Sequence, residues 1–131
     1  MKTTGAPTNK SYLQNVSQIT ENKWKLESLK GFSENQLKQS PLPPSMEFDT
    51  ENQRISGFAG CNNYFGNFKI TDQGKINISN LASTKKMCIN SMELEEAYLK
   101  TLKNSEWILV DGETLDLKDK EETVIASFVL Q

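Results

Sequence analysis

The 131-residue chain contains no histidine. That absence removes the commonest acid–base side chain, every Ser–His or Cys–His dyad, and most zinc and copper sites. Cysteine is scarce: Cys61 and Cys88 stand alone. Two thiols without histidine cannot complete a four-ligand zinc centre. Their spacing is not C-x-x-C, which excludes a thioredoxin-like redox motif. Neither sign of charge dominates, since 15 Lys+Arg face 17 Asp+Glu, and the pI is near 5.2. Overall composition therefore carries no electrostatic footprint for nucleic acid or an anionic membrane. No apolar run is long enough to cross a bilayer, and the N-terminus lacks the apolar core of a signal peptide. The expectation is a chain with no catalytic constellation, no cofactor and no metal site.

What is present is one domain's worth of ordinary sequence. The hydrophobic fraction is 36%, the charged fraction 24% and the mean hydropathy −0.58. These values fit one folded core with polar surroundings. Residues 1–18 are rich in Thr, Asn, Ser and Lys and read as a tail or linker. Residues 19–131 read as the folded domain.

Period-2 alternation dominates that domain. Strands are predicted over Lys23–Lys30, Ser45–Asp49, Arg54–Phe58, Tyr64–Thr71, Lys75–Ser79, Glu106–Val110, Thr114–Lys118 and Thr123–Leu130. In the first, Trp24, Leu26 and Ser28 share a face; in the fourth, Tyr64, Phe68 and Ile70 point inward. Residues 31–45 form a polar loop ending in Pro41-Leu42-Pro43-Pro44, which no interior strand tolerates. Asp72-Gln73-Gly74, Asp111-Gly112 and Asp119-Lys120 mark turns.

One segment breaks the alternation. Over Ser91–Lys103, Met92, Leu94, Tyr98, Leu99 and Leu102 fall on one helical face. Glu93, Glu95 and Glu96 begin the helix and Lys100 and Lys103 end it, matching its dipole. Asn90 or Ser91 can cap it, with Glu93 closing a capping box on Asn90. The three acids are expected to be a solvated helix start. The predicted fold is α+β and β-rich: one antiparallel, barrel-like sheet of about 7–8 short strands with one amphipathic helix packed against it.

The cysteines leave two readings, one structural disulfide or two buried free thiols. A bridge would close a loop of about 27 residues, worth about 3.5 kcal/mol by loop entropy. Cys61 lies in the most distinctive stretch, Ser56-Gly57-Phe58-Ala59-Gly60-Cys61-Asn62-Asn63-Tyr64-Phe65-Gly66. The asparagines suit buried backbone groups or an Asx-turn. Alternatively, Asn62, Asn63 and Phe65 form a binding surface for a polar ligand or partner. There is no G-K-[ST], so this is no phosphate loop.

The order G-x-x-G-C-N-x-Y-x-G, then T-x-x-x-C, then a helix opening Met-Glu, resembles the META domain family, which includes HslJ-like bacterial lipoproteins. The matching positions are Trp24, Gly57, Gly60, Cys61, Asn62, Tyr64, Gly66, Thr84, Cys88, Glu93, Leu102 and Leu115. The resemblance spans about residues 20–130. It implies a compact β-rich domain with one helix, in the periplasm or anchored at the outer membrane. It also implies a general link to stress responses and no established enzymatic activity. A lipid anchor would then belong to a longer natural chain.

The resulting expectation is a non-catalytic envelope domain acting as a binding or structural module. Its partner would be a protein, a peptide or a small apolar ligand, not nucleic acid, and the chain is expected to be monomeric. Two alternatives stay open. One is a thiol-based redox sensor or enzyme using Cys61 or Cys88, activated by Lys85, Lys86 or the helix start. The other is a protease-inhibitor-like module presenting the proline-stiffened segment Leu37–Ser45.

Overall fold

The computed structural model describes residues 16–131. Of the expected tail, residues 1–15 lie outside the described residues. A helical turn at 16–20 leads into strand β1 (Lys23–Leu29), and Ile19 is already fully buried there. Its carbonyl accepts the Trp24 indole N–H at 3.0 Å, which ties the chain entry to the core.

Seven further strands follow: β2 (Ser45–Asp49), β3 (Arg54–Phe58), β4 (Asn63–Ile70), β5 (Ile76–Ser83), β6 (Trp107–Asp111), β7 (Thr114–Lys118) and β8 (Val124–Leu130). Every pairing is antiparallel, in the order β5-β4-β3-β2-β1-β8-β7-β6. The sheet is therefore two meanders joined where β1 meets β8. It curls until its edges touch at one end. Lys75 bridges Trp107, Ile76 N–H donates to the Glu106 carbonyl at 2.9 Å, and Ile108 N–H to the Gly74 carbonyl at 2.9 Å. Away from that seam the sheet stays open as a half-barrel.

The alternating pattern explains most of the inward set. Trp24, Met46, Ile55, Tyr64, Ile108, Leu115, Leu117 and Phe128 are almost completely buried and fill the interior, as side chains do in an eight-stranded barrel. Two bulges shift the pattern. In β1 the register slips between Leu26 and Ser28, so Leu29, not Ser28, turns inward. In β5 Asn80 adopts φ +56, and the register slips opposite Phe65–Asn67. Alternation predicts an end at Ser79, but pairing resumes beyond the bulge and β5 runs to Ser83.

Two helices sit between strands. Helix α1 (Glu34–Leu37) is one turn inside the expected polar loop, closed by a capping box between Ser33 and Gln36. Helix α2 (Met92–Lys103) lies in the long connection from β5 to β6. It buries Leu94, Glu95, Tyr98 and Leu102 against the sheet. The Tyr98 ring meets Tyr64 of β4 and Phe128 of β8 edge-on, with centroids 5.7 and 6.2 Å away. Ser91 is the N-cap residue and makes no side-chain cap bond, so the expected capping box does not form.

Candidate functional site

The β3–β4 turn, the segment between β5 and α2, and the first turns of α2 meet at one corner of the molecule. Gly60 starts the geometry: at φ +123 it occupies a conformation that side chains disfavour, and it lies against the backbone of Glu95. Beyond it, the N–H groups of Cys61 and Asn62 both point at Glu95 Oε1, at 2.9 and 2.6 Å. Asn62 Nδ2 donates to Glu95 Oε2 at 2.8 Å. Glu95 is only 4% exposed. It is not part of a solvated helix start, because it lies beside Leu94 and one turn before Tyr98, on the buried face. Three donors compensate the desolvation of its carboxylate.

Asn62, 2% exposed, passes the brace onward. Its Oδ1 accepts the Lys86 N–H at 2.7 Å and the Thr84 hydroxyl at 2.8 Å. Its Nδ2 also donates to the Lys86 carbonyl at 3.1 Å. All four hydrogen-bonding positions of the amide are thus used inside the protein. The Thr84 N–H donates to the Asn63 carbonyl at 3.1 Å. A disulfide joins Cys61 to Cys88, with Cα atoms 5.8 Å apart. Neither sulfur is therefore a free thiol, and the disulfide reading is the one the structure takes.

A second buried polar group lies behind the corner. Tyr64 and Tyr98 both donate to the Ser45 carbonyl, at 2.7 and 2.9 Å, with their hydroxyls 3.1 Å apart. A Cβ on Gly57 would fall 2.1 Å from that same carbonyl oxygen, so the motif glycine leaves room for β2 to approach. Burial pushes both phenols above the ordinary tyrosine range; for Tyr64 the adjacent Tyr98 adds to the shift. Both remain hydrogen-bond donors.

The motif residues thus divide. Gly57, Gly60, Cys61, Asn62, Tyr64, Thr84 and Cys88 build the corner, and Gly66 pairs with Ile55 further along β4. Of the three residues predicted as a binding surface, Asn62 is enclosed while Asn63 and Phe65 are exposed. The Arg54 guanidinium lies over the Phe65 ring at 5.6 Å. Among the described residues no group of three or more His, Cys, Asp or Glu could hold a metal ion. The corner's chemistry is that of a brace, with its polar atoms paired to each other.

What the brace presents is the segment 84–90. Its backbone is gripped at Thr84, Lys86 and Cys88, and Cys88 N–H also donates to the Met92 sulfur at 3.4 Å. The Thr84 hydroxyl and the Cys88 sulfur are held as well, but the side chains of Lys85, Lys86, Met87 and Ile89 are exposed. Met87 is 84% exposed and Ile89 97% exposed, and Lys85 and Lys86 are exposed beside them. Sequence reasoning overlooked this pair, although a signal existed. In an extended segment the neighbours of an inward residue point outward, so an inward, bridged Cys88 turns out Met87 and Ile89. A shallow depression of about 330 Å³ continues from the loop between β5 and α2, with Leu81, Lys85, Glu96, Leu99, Lys100 and Lys103 in its wall.

Known structures share this architecture. An NMR structure of a protein from Burkholderia xenovorans is 20% identical, with a TM-score of 0.69 over 100% of this chain and 95% of that one. A second protein solved by NMR is 27% identical, with a TM-score of 0.65 over 87% of this chain and 92% of that one. A crystal structure of a DUF4847 family protein from Bacteroides vulgatus is 14% identical, with a TM-score of 0.61 over 87% and 96%. No curated protein matches the chain. The META domain model matches residues 17–130, nearly the whole of the described structure. The chain belongs to the META domain family.

Proposed function

We propose that this META domain is a non-catalytic module of the bacterial cell envelope. In this reading it serves the stress response by binding a partner or supporting a larger assembly. Residues 19–131 are the working unit, carried by the segment before it as tail or linker. The observation that carries the reading is the Cys61–Cys88 disulfide. Structural disulfides persist in oxidising compartments and are rare in the cytosol. This one holds a surface loop in place and has no third cysteine to exchange with. The braced corner agrees, because its polar atoms satisfy one another and leave the loop's side chains outward. A binding site inside the barrel has less support, since large inward side chains occupy the interior.

The test uses the protein as its own cells make it. Cells are quenched in acid and the chain is alkylated under denaturing conditions, with and without reductant, then weighed intact. Two labels gained only after reduction, together with recovery in the periplasmic or membrane fraction, are expected. Labelling of both cysteines without reduction, or recovery in the cytosol, overturns the envelope reading.

A further inference from the structure

From Thr84 to Met92 the only charged residues are Lys85 and Lys86, and between them and α2 lie Met87 and Ile89. These two are the most exposed large hydrophobic side chains among the described residues. We propose that this loop is a docking tip for an anionic phospholipid bilayer: Met87 and Ile89 enter the interface while Lys85 and Lys86 meet the headgroup phosphates. The proposal deepens the envelope reading by naming the surface the module contacts, and rests on it for where that surface is met.

Three features favour a bilayer over a protein pocket. The apolar pair projects almost wholly into solvent, and a projecting pair enters a fluid planar surface without needing a matching cavity. The charge is complementary and local. Lys100 and Lys103 extend the basic patch along the depression beside Lys85, where Glu96 is the one acid in the wall. The whole-chain charge of −2 hides this asymmetry. Finally, the tip is pre-organised. The disulfide and the Asn62 amide fix its backbone in the free protein, so little ordering entropy is lost on docking. Lysine stems can lie along the interface with their ammonium groups among phosphates.

The experiment is co-sedimentation of the purified full chain with vesicles of phosphatidylcholine alone, or of phosphatidylcholine with one-third phosphatidylglycerol. Binding to the anionic vesicles, and its loss on raising salt from about 0.05 M to about 0.5 M, is expected. Each Lys→Gln change at Lys85 and Lys86 weakens the partition constant about fivefold, and the pair about 25-fold. Met87→Ser with Ile89→Ser also weakens it. Leu109→Ser, an exposed apolar residue on β6, does not. In an Ile89→Trp variant, brominated acyl chains quench the new indole. Unchanged thermal midpoints show that the variants fold. Equal binding to both vesicle types, no binding to anionic vesicles, or wild-type binding by the loop variants overturns the proposal. Absence of vesicle binding beside a disulfide confirmed in cells would leave the envelope reading standing and direct attention to a protein partner with an acidic rim.

Discussion

The seam of the sheet and the braced corner are held by opposite means. At the seam, two edge strands meet through a single bridge and two flanking backbone hydrogen bonds, and the charged side chains there are partly solvated. Lys75 pairs with Glu106 at 3.7 Å and lies over the Trp107 ring at 5.4 Å, with both charged groups about half exposed. At the corner, a turn and a loop that pair with no strand are held by a disulfide and by polar groups removed from water. The difference teaches where sequence identity matters. An exposed closure is carried by backbone and tolerates many side chains. A buried polar closure works only when each donor has its acceptor, so each residue type is fixed by its partners.

The largest effect is therefore expected from Glu95→Ala. It strands the Cys61 and Asn62 backbone N–H groups and one Asn62 amide N–H in a buried site. Unsatisfied buried donors cost about 1–3 kcal/mol each before water enters, so a loss of about 3–5 kcal/mol is expected. That is a large share of the ~5–15 kcal/mol typical of a domain. Glu95→Gln should recover only part. Its one carbonyl oxygen can serve the two backbone N–H groups, but its NH₂ then faces the Asn62 NH₂. Urea midpoints of the two variants decide the point, and equal loss in both would mean the hydrogen bonds are not what matters.

Next comes the bridge itself. Cys61→Ser with Cys88→Ser should cost about 3.5 kcal/mol by loop entropy, less whatever structure the unfolded chain retains. The comparison sharpens in the double variant's hydrogen exchange. If Asn62 alone can hold the loop, the Lys86 amide stays protected while the amide at position 88 loses protection. If both open together, the covalent bond is the senior partner.

The tyrosine pair gives a smaller effect with a sign. Folding raises both phenol pKa values, so the unfolded chain releases protons first as pH passes 10. Above that point the unfolded state binds fewer protons than the folded one, and stability falls with rising pH. The contribution is complete below pH 10 and is lost above it, at up to about 1.4 kcal/mol per pH unit per tyrosine. Tyr98→Phe should lower stability by about 1 kcal/mol at neutral pH, since Tyr64 still serves the Ser45 carbonyl. It should also halve the alkaline slope. Denaturation curves at several pH values from 9 upward measure both.

The same contrast explains what the sequence disclosed. The strands were legible because alternation reports a half-buried sheet directly, and helix α2 because its apolar stripe follows a 3.6 period. Each miss has a physical cause. The β5 extension is hidden because Asn80 in the left-handed region shifts the alternation by a residue. The turn of α1 announced itself through Ser33-x-x-Gln36, a capping-box signature, but the prolines after it weighed toward loop. Glu95 was misplaced because acids near a helix start usually answer the dipole. The cue was its position within the Leu94–Tyr98–Leu102 stripe. The family motif pointed to the corner's residues, but only three-dimensional pairing shows that Asn62 braces Lys86, which lies 24 residues away.

The smallest effect belongs at the seam, and it tests the comparison from the other side. Lys75→Ala removes an ion pair and a cation–π contact, both partly solvated. Exposed pairs contribute about 0–1 kcal/mol and exposed cation–π contacts about 0.5–1 kcal/mol, and the two share one ammonium group. A loss below about 1 kcal/mol is expected, shrinking further in high salt as screening removes the ionic part. The backbone bonds from Ile76 and Ile108 are untouched by the substitution, so their amides should exchange with solvent nearly as slowly as before. A loss as large as that of Glu95→Ala would show that the Lys75 side chain, and not the backbone, closes the barrel, and the two closures would then differ in exposure but not in kind.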